Sequence, residues 1–204
     1  MPKVEDKKAN EKIIDAAIDL FYFQGFNGTT VRQIAQKANV NLALISYHFG
    51  GKKGLLEQLM IRFYEGYFQS IKKPTAEIEP YETAKDYLIQ ALTSAYTYLF
   101  DHYRMTRFIY RELTVDSTLV REVMTLYLGQ EKYLYMSILE KAYQEGEHVI
   151  EDLEIYVLQL LNVLYMPFLQ PQVIREVYYI EPHSEEFKQR YLSQLENWIT
   201  SNFL

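Results

Sequence analysis

The chain has no cysteine, which excludes disulfides, thiolate catalysis and a cysteine-built metal site. No apolar run is long enough to cross a membrane. The opening Met1-Pro-Lys-Val-Glu-Asp-Lys-Lys8 is charged, where a secretory leader would be apolar. The four histidines, His48, His102, His148 and His183, are scattered and show no metal-ligand spacing. Gly50-Gly-Lys-Lys-Gly54 lacks the spacing of a phosphate-binding loop and has no strand before it. Glu145 and Glu147 are close in sequence but end a charged helix, so no catalytic constellation is expected. There is no internal repeat and no low-complexity segment. No Asn-Gly turn lies between alternating strands, because Asn27-Gly28 sits between helical patterns. What remains is a chain of 204 residues, enough for one domain or two small ones with a sizeable core. It is expected to be non-enzymatic, without cofactor or metal, away from the membrane, and cytoplasmic.

Charge is unevenly placed. Residues 1–54 hold eight Lys/Arg against five Asp/Glu, a net of +3, and the remainder holds thirteen against twenty-two, a net of −9. A basic head on an acidic body suits a chain whose first part meets nucleic acid.

The head carries the most informative stretch, Thr30 to Phe49. Thr29 or Thr30 can cap a helix through its side-chain oxygen. Val31, Ile34, Ala35 and Ala38 then recur at helical spacing, facing inward. Asn39 can adopt the left-handed conformation of a tight turn, and Asn41 can cap the next helix. In that helix Leu42 and Ile45 point toward the core, with Phe49 beyond. Ala43, Leu44, Ser46, Tyr47 and His48 are left for other faces. Small side chains let a helix enter the major groove, roughly 12 Å wide, and Ser46, Tyr47 and His48 can donate to phosphates or base edges. The pattern is that of a helix-turn-helix.

Residues from about 9 to 56 resemble the DNA-binding domain of the TetR family of regulators. The pattern is Ile13-Ile14-Asp-Ala-Ala17, Leu20-Phe21, Gly25-Phe26, Thr29-Thr30-Val31, Ile34-Ala35, Ala38-Asn39-Val40, Ser46-Tyr47-His48-Phe49, Lys52 and Leu55-Leu56. The resemblance implies an all-α, TetR-like fold with a three-helix head, residues 1–51, and a helical regulatory and dimerisation body, residues 52–204. It also implies that Tyr47, His48 and Lys52 hold phosphates of double-stranded DNA. Lys53 stands where the family often has an acidic residue, and adds to the salt-dependent part of binding. Thr30, Arg32, Asn41, Ala43, Leu44, Ser46, Tyr47, His48, Lys52 and Lys53 form the expected DNA face.

The rest reads as helices almost throughout. The first is expected over Ala9–Gln24, ended by Gly25. The fourth runs over Lys52–Ile71 and connects head to body, with a proline-marked boundary from Lys72-Lys-Pro74 to Glu79-Pro80. Further helices fit Tyr81–His102, Arg104–Leu113, a seventh capped by Asp116-Ser117 and running to about Gly146, and Asp152–Leu169. A short one starting at Pro171 is ended by Pro182, and a last covers Ser184–Asn202.

Two stripes at helical spacing, one with Leu153, Tyr156, Val157, Leu160, Leu161 and Leu164, the other with Phe187, Tyr191, Leu195, Trp198 and Ile199, fit either a subunit core or an assembly surface. The resemblance implies a homodimer paired through two C-terminal helices of each subunit. Leu153, Tyr156, Leu160, Leu164, Tyr191, Leu195, Trp198 and Ile199 are the expected interface. Two reading helices would then lie roughly 34–36 Å apart on a palindromic site. Such regulators most often also hold a small-molecule ligand in the body. The many aromatics there, including Tyr87, Tyr96, Tyr98, Phe100, Tyr133 and Tyr135, fit packing or a pocket wall, and no buried charge is visible to fix a ligand.

A second resemblance covers most of the chain. Thr106-Arg-Phe-Ile-Tyr-Arg-Glu-Leu-Thr-Val-Asp-Ser-Thr-Leu-Val-Arg-Glu-Val-Met124, Glu131-Lys-Tyr133 and Met166-Pro-Phe-Leu-Gln-Pro171 carry it, with Phe63-Tyr-Glu-Gly-Tyr67 and Pro182-His183. They look like a branch of the same family in spore-forming bacteria that regulates the division protein FtsZ. That implies chromosomal sites near the origin, nucleoid association, and inhibition of FtsZ ring assembly to place the septum during sporulation. Arg104, Arg107 and Arg111 lie at i, i+3 and i+7, on one helical face, and Arg121 and Glu122 follow. These five are the expected partner surface for FtsZ. The same arginines could instead pair within the chain, with Glu112, Glu122 or Asp116.

Overall fold

The computed structural model describes residues 4–77, 83–114, 118–144 and 152–202. Among them every regular element is an α-helix: α1 Val4–Gly28, α2 Val31–Ala38, α3 Leu42–Phe49, α4 Lys52–Glu77, α5 Ala84–Asp101, α6 Tyr103–Thr114, α7 Thr118–Gln144, α8 Leu153–Leu169, α9 Pro171–Tyr178 and α10 Glu185–Asn202. The fold is all-α, as expected. No single described helix is long and apolar enough to cross a membrane.

Local chemistry sets most boundaries. Thr30 caps α2 through a reciprocal box, in which the Gln33 N–H donates to Thr30 Oγ1 at 3.2 Å and the Thr30 N–H donates to Gln33 Oε1 at 2.7 Å. Asn39 ends α2 in the left-handed region, φ 53°, a position that asparagine tolerates better than most residues. Asn41 Oδ1 then accepts the Ala43 N–H at 2.9 Å, opening α3. Within α1 the backbone leaves the helix at Gly25, φ 74° and ψ 170°, where the sequence places the helix end.

Two boundaries and one side chain differ from expectation. α4 continues over Pro74 to Glu77, because a proline removes one hydrogen bond and can bend a helix without ending it. α9 stops at Tyr178, before Pro182 is reached. Tyr179 turns left-handed, φ 56°, and the Tyr179 and Ile180 N–H groups both donate to the Ile174 carbonyl. Leu42, expected inward, is 42% exposed. At about 100° per residue, a face centred on Ile45 and Phe49 leaves Leu42 at its rim. Tyr81, Asp116, Ser117 and Gly146, offered as helix starts, caps or ends, lie outside the described residues.

Packing divides the chain into two compact units, Met1–Glu65 with Arg104–Val123, and Gly66–Tyr103 with Met124–Leu204. In the first, Ile13, Ala17 and Phe21 of α1, Ile34 of α2, Ile45 of α3 and Leu55 and Leu56 of α4 are fully buried together. Each large apolar side chain so buried contributes about 1.5–3 kcal/mol. α6 belongs to this unit from Arg104 onward, with Phe108 stacked on Phe21 at 5.2 Å between ring centroids. In the second unit the core is built from α5 (Leu88, Leu92, Tyr96, Leu99), α7 (Tyr135, Leu139), α8 (Leu160, Leu164, Phe168) and α10 (Leu195, Ile199).

This core claims much of the expected dimer surface. Leu160, Leu164, Leu195 and Ile199 are buried inside the chain itself. Tyr191 stacks on Tyr96 and donates its hydroxyl to the Val163 carbonyl at 2.5 Å, and Tyr156 stacks on Trp198. Leu153, Tyr156, Tyr191 and Trp198 are half-buried. The apolar groups that α8 leaves outside are Ile155, Leu158 and Met166, each 40% exposed or more. They lie on the face opposite the one expected to pair.

Candidate nucleic-acid interface

The outward stripe of α3 is Ala43, Ser46 and Tyr47, at i, i+3 and i+4, all exposed. Tyr47 is 81% exposed, a large ring in water beside two small side chains. An exposed hydroxyl on a rigid ring reaches a phosphate oxygen with little conformational entropy to lose. Ala43 and the partly exposed Leu42 offer methyl groups of the kind that contact a thymine methyl in the major groove. Leu44 is half-buried and lies on the flank of this stripe. Thr30, Arg32, Asn41 and Lys53 are exposed around it, though Thr30 and Asn41 already spend a side-chain oxygen on caps. Lys53 lies 3.9 Å from Glu57 one turn on, an exposed pair that contributes little and leaves the ammonium available. His48 is half-buried, and its Nε2 is enclosed without a hydrogen-bond partner. A phosphate contact from this ring therefore has to run through Nδ1.

Lys52 does something the sequence did not suggest. Its ammonium donates to the Phe26 carbonyl at 2.8 Å and the Thr29 carbonyl at 2.8 Å, and sits 4.3 Å from the Phe26 ring centroid. Two of its three donors thus hold the segment joining α1 to α2. The phosphate contact expected of Lys52 would be left to its third N–H. Lys52→Ala is expected to cost about 1–3 kcal/mol of stability through lost charged hydrogen bonds and to leave the salt dependence of DNA binding unchanged. Lys53→Ala is expected to lower that salt slope by about one unit at unchanged stability. Urea unfolding and salt titration of DNA affinity separate the two.

Two arginines of the α6 row also engage α1. Arg104 pairs with Asp19 of α1, which Lys37 of α2 also approaches, at 3.0 Å. Burial pushes the Asp19 carboxyl up, but hydrogen bonds and charge from Lys37 and Arg104 outweigh it and hold it below its usual value. Arg111 donates through Nη1 to the Tyr22 carbonyl at 2.8 Å and through Nη2 to the Phe21 carbonyl at 2.7 Å. Arg104 and Arg111 therefore both engage α1, at Asp19 and at the Tyr22 and Phe21 carbonyls, and not mainly the acids that spacing along the chain suggested. Arg107 is half-buried, while Arg121 and Glu122 are exposed.

Within the second unit, Glu131 of α7 is fully buried, and the hydroxyls of Tyr67 in α4 and Tyr165 in α8 both donate to its Oε1. Burial pushes its carboxyl up to about 7, against the two phenolic hydrogen bonds that pull it down. No sequence motif announced it. The available signal was a carboxylate at i of an apolar stripe that continues at Tyr135 and Ile138. Among the described residues no group of three or more His, Asp or Glu could hold a metal ion.

Comparison with known proteins points the same way as the geometry. Residues 13–59, from α1 into α4, match the family model described as bacterial regulatory proteins, tetR family. The chain is 44% identical over 193 residues to the Bacillus subtilis (strain 168) "probable HTH-type transcriptional regulator YttP", covering 95% of this chain and 93% of that one. The fold is shared with a tetR-family regulatory protein from Rhodococcus RHA1 (TM-score 0.74, 21% identity, 98% of each chain). It is shared as well with the TetR-family transcriptional regulator PfmR of Thermus thermophilus (TM-score 0.73, 17% identity, 92% of this chain and 96% of that one). A capped helix-turn-helix with an outward stripe, on an all-helical chain whose near full-length relative is named a probable HTH-type transcriptional regulator, places the protein in the tetR family of bacterial regulatory proteins.

Proposed function

We propose that the chain binds a palindromic chromosomal site as a homodimer and acts on FtsZ assembly, in the manner of RefZ, the regulator of FtsZ of spore-forming bacteria. The DNA part is supported by the exposed Ala43, Ser46, Tyr47 stripe on a doubly capped α3. Pairing is supported by the exposed apolar row Ile155, Leu158 and Met166 along α8, which a second copy would cover. The division role is supported by the resemblance carried over Thr106–Met124, Glu131–Tyr133 and Met166–Pro171. Of its expected partner surface, Arg104, Arg121 and Glu122 are exposed, Arg104 while paired with Asp19.

The test is FtsZ polymerisation followed by light scattering, with the protein alone and with a duplex from near the chromosome origin. Inhibition is expected with DNA present. Arg121→Ala is expected to keep DNA binding and lose most of that inhibition. Unaltered polymerisation by wild type would remove the division role.

A second reading, a ligand-responsive repressor, is favoured by Glu131. Its Oε2 is buried without a hydrogen-bond partner, and a small molecule with a donor group would satisfy it.

A further inference from the structure

At Gly25 the backbone of α1 departs from the helix, so the Phe26 N–H turns away from the carbonyl of Tyr22, four residues earlier. Both groups would be left unsatisfied in a partly buried place. Neighbouring residues of α6 answer each. Arg111 Nη1 donates to the Tyr22 carbonyl at 2.8 Å, and the Phe26 N–H donates to Glu112 Oε1 at 3.4 Å. The guanidinium takes the Phe21 carbonyl as well, at 2.7 Å, and lies 3.8 Å from Glu112 Oε1. The pair is thus spliced into the broken turn, its own charges matched. Glu112 is 6% exposed, and a Cβ at position 25 would lie 3.2 Å from its Oε1. Glycine is what lets the carboxylate come this close. On the far side of the same segment, Lys52 holds the Phe26 and Thr29 carbonyls, and Thr29 Oγ1 donates to the Gly25 carbonyl at 2.8 Å. Thr30, the N-cap of α2, comes next.

We propose that Arg111 and Glu112 are positioning residues for DNA reading, fixing where the chain leaves α1 and hence where α2 and α3 are presented to the groove. Neither touches DNA. Their effect falls on base readout, which depends on the placement of α3, and not on the number of phosphates neutralised. The inference rests on the DNA-binding reading of this family.

The experiment uses the full chain and two probes, a duplex selected by the wild type from a random-sequence pool and a scrambled duplex of the same composition. Each variant is first titrated at stoichiometric concentration to fix its active fraction. Arg111→Ala and Glu112→Ala are expected to lose about tenfold or more on the selected duplex, the scale of one good base contact. Affinity for the scrambled duplex stays within about twofold and the salt slope is unchanged. Arg111→Lys, which keeps the charge but not the two-pronged geometry, is expected to recover little. Equal loss on both duplexes would make the pair merely structural. A salt slope lower by about one unit would make Arg111 a phosphate ligand, and unchanged affinity would remove both residues from the reading machinery. If the wild type selects no duplex, the DNA-binding reading itself fails. If the wild type selects one and the variants bind it equally well, only the positioning role fails.

Discussion

Glu131→Gln is expected to stabilise the chain by about 3 kcal/mol at about pH 8 and by little near pH 4.5, measured by urea unfolding of wild type and variant. The carboxyl is fully buried in the second unit, between Tyr67 of α4 and Tyr165 of α8, with the buried Tyr135 one turn further along α7. Tyr87 of α5 bears in turn on Tyr135. Burial raises the carboxyl from an ordinary 4.5 to about 7. Below about pH 4.5 folded and unfolded chains both carry the proton, and the group sets no pH dependence. As pH rises toward 7 the unfolded chain ionises while the folded one does not, so stability falls. Above 7 the loss is complete. A difference of about 2.5 units at 1.36 kcal/mol each gives the size stated. Glutamine keeps an acceptor for both phenols and never ionises, so its advantage should grow with pH and then level off. An advantage equal at both ends of the range would mean that the Glu131 carboxyl is not the titrating group.

Gly54→Ala is expected to cost about 3 kcal/mol or more and to abolish DNA binding, the upper range for forcing atoms into a filled place. The reason lies in the junction between α3 and α4. A Cβ on Gly54 would sit 1.9 Å from the Phe49 carbonyl oxygen, a backbone atom that cannot rotate away. Gly50 and Gly51, at φ 69° and 107°, make the turn between them. The alanine can be housed only by moving α3 against α4, which disturbs the reading helix. Gly129→Ala in α7 is the control. Its Cβ meets nothing within 4 Å, and alanine there is expected to add up to about 1 kcal/mol. Equal effects of the two substitutions on unfolding free energy would contradict the packing described.

Much of the head was legible because its signals are local. Thr30, Asn39 and Asn41 act within four residues of themselves, through caps and a left-handed turn, and the structure uses them as read. The glycine run Gly50–Gly54 was visible as a pattern, but its use for close backbone approach was not, since that depends on where α3 ends in space. Helical spacing likewise showed which residues of α8 and α10 are apolar without showing what covers them. Leu160 and Leu164 close the chain's own core, while Ile155 and Leu158, less conspicuous in the sequence, face out. The arginines of α6 illustrate the same limit. Their spacing put them on one face, but Asp19, Phe21 and Tyr22 lie 85–90 residues earlier. No rule of sequence separation brings those groups together. Glu131 was readable only as an anomaly in an apolar stripe.

The proposed function turns on α3 reading double-stranded DNA as part of a pair. The most direct test is the stoichiometry and affinity of the wild type and of Tyr47→Ala on the duplex that the wild type selects. Two chains per duplex are predicted, on two half-sites about one helical turn apart. Tyr47→Ala should show a marked loss on selected and scrambled DNA alike, since a phosphate contact carries no sequence information. One chain per duplex, or full affinity without the Tyr47 ring, would contradict this reading.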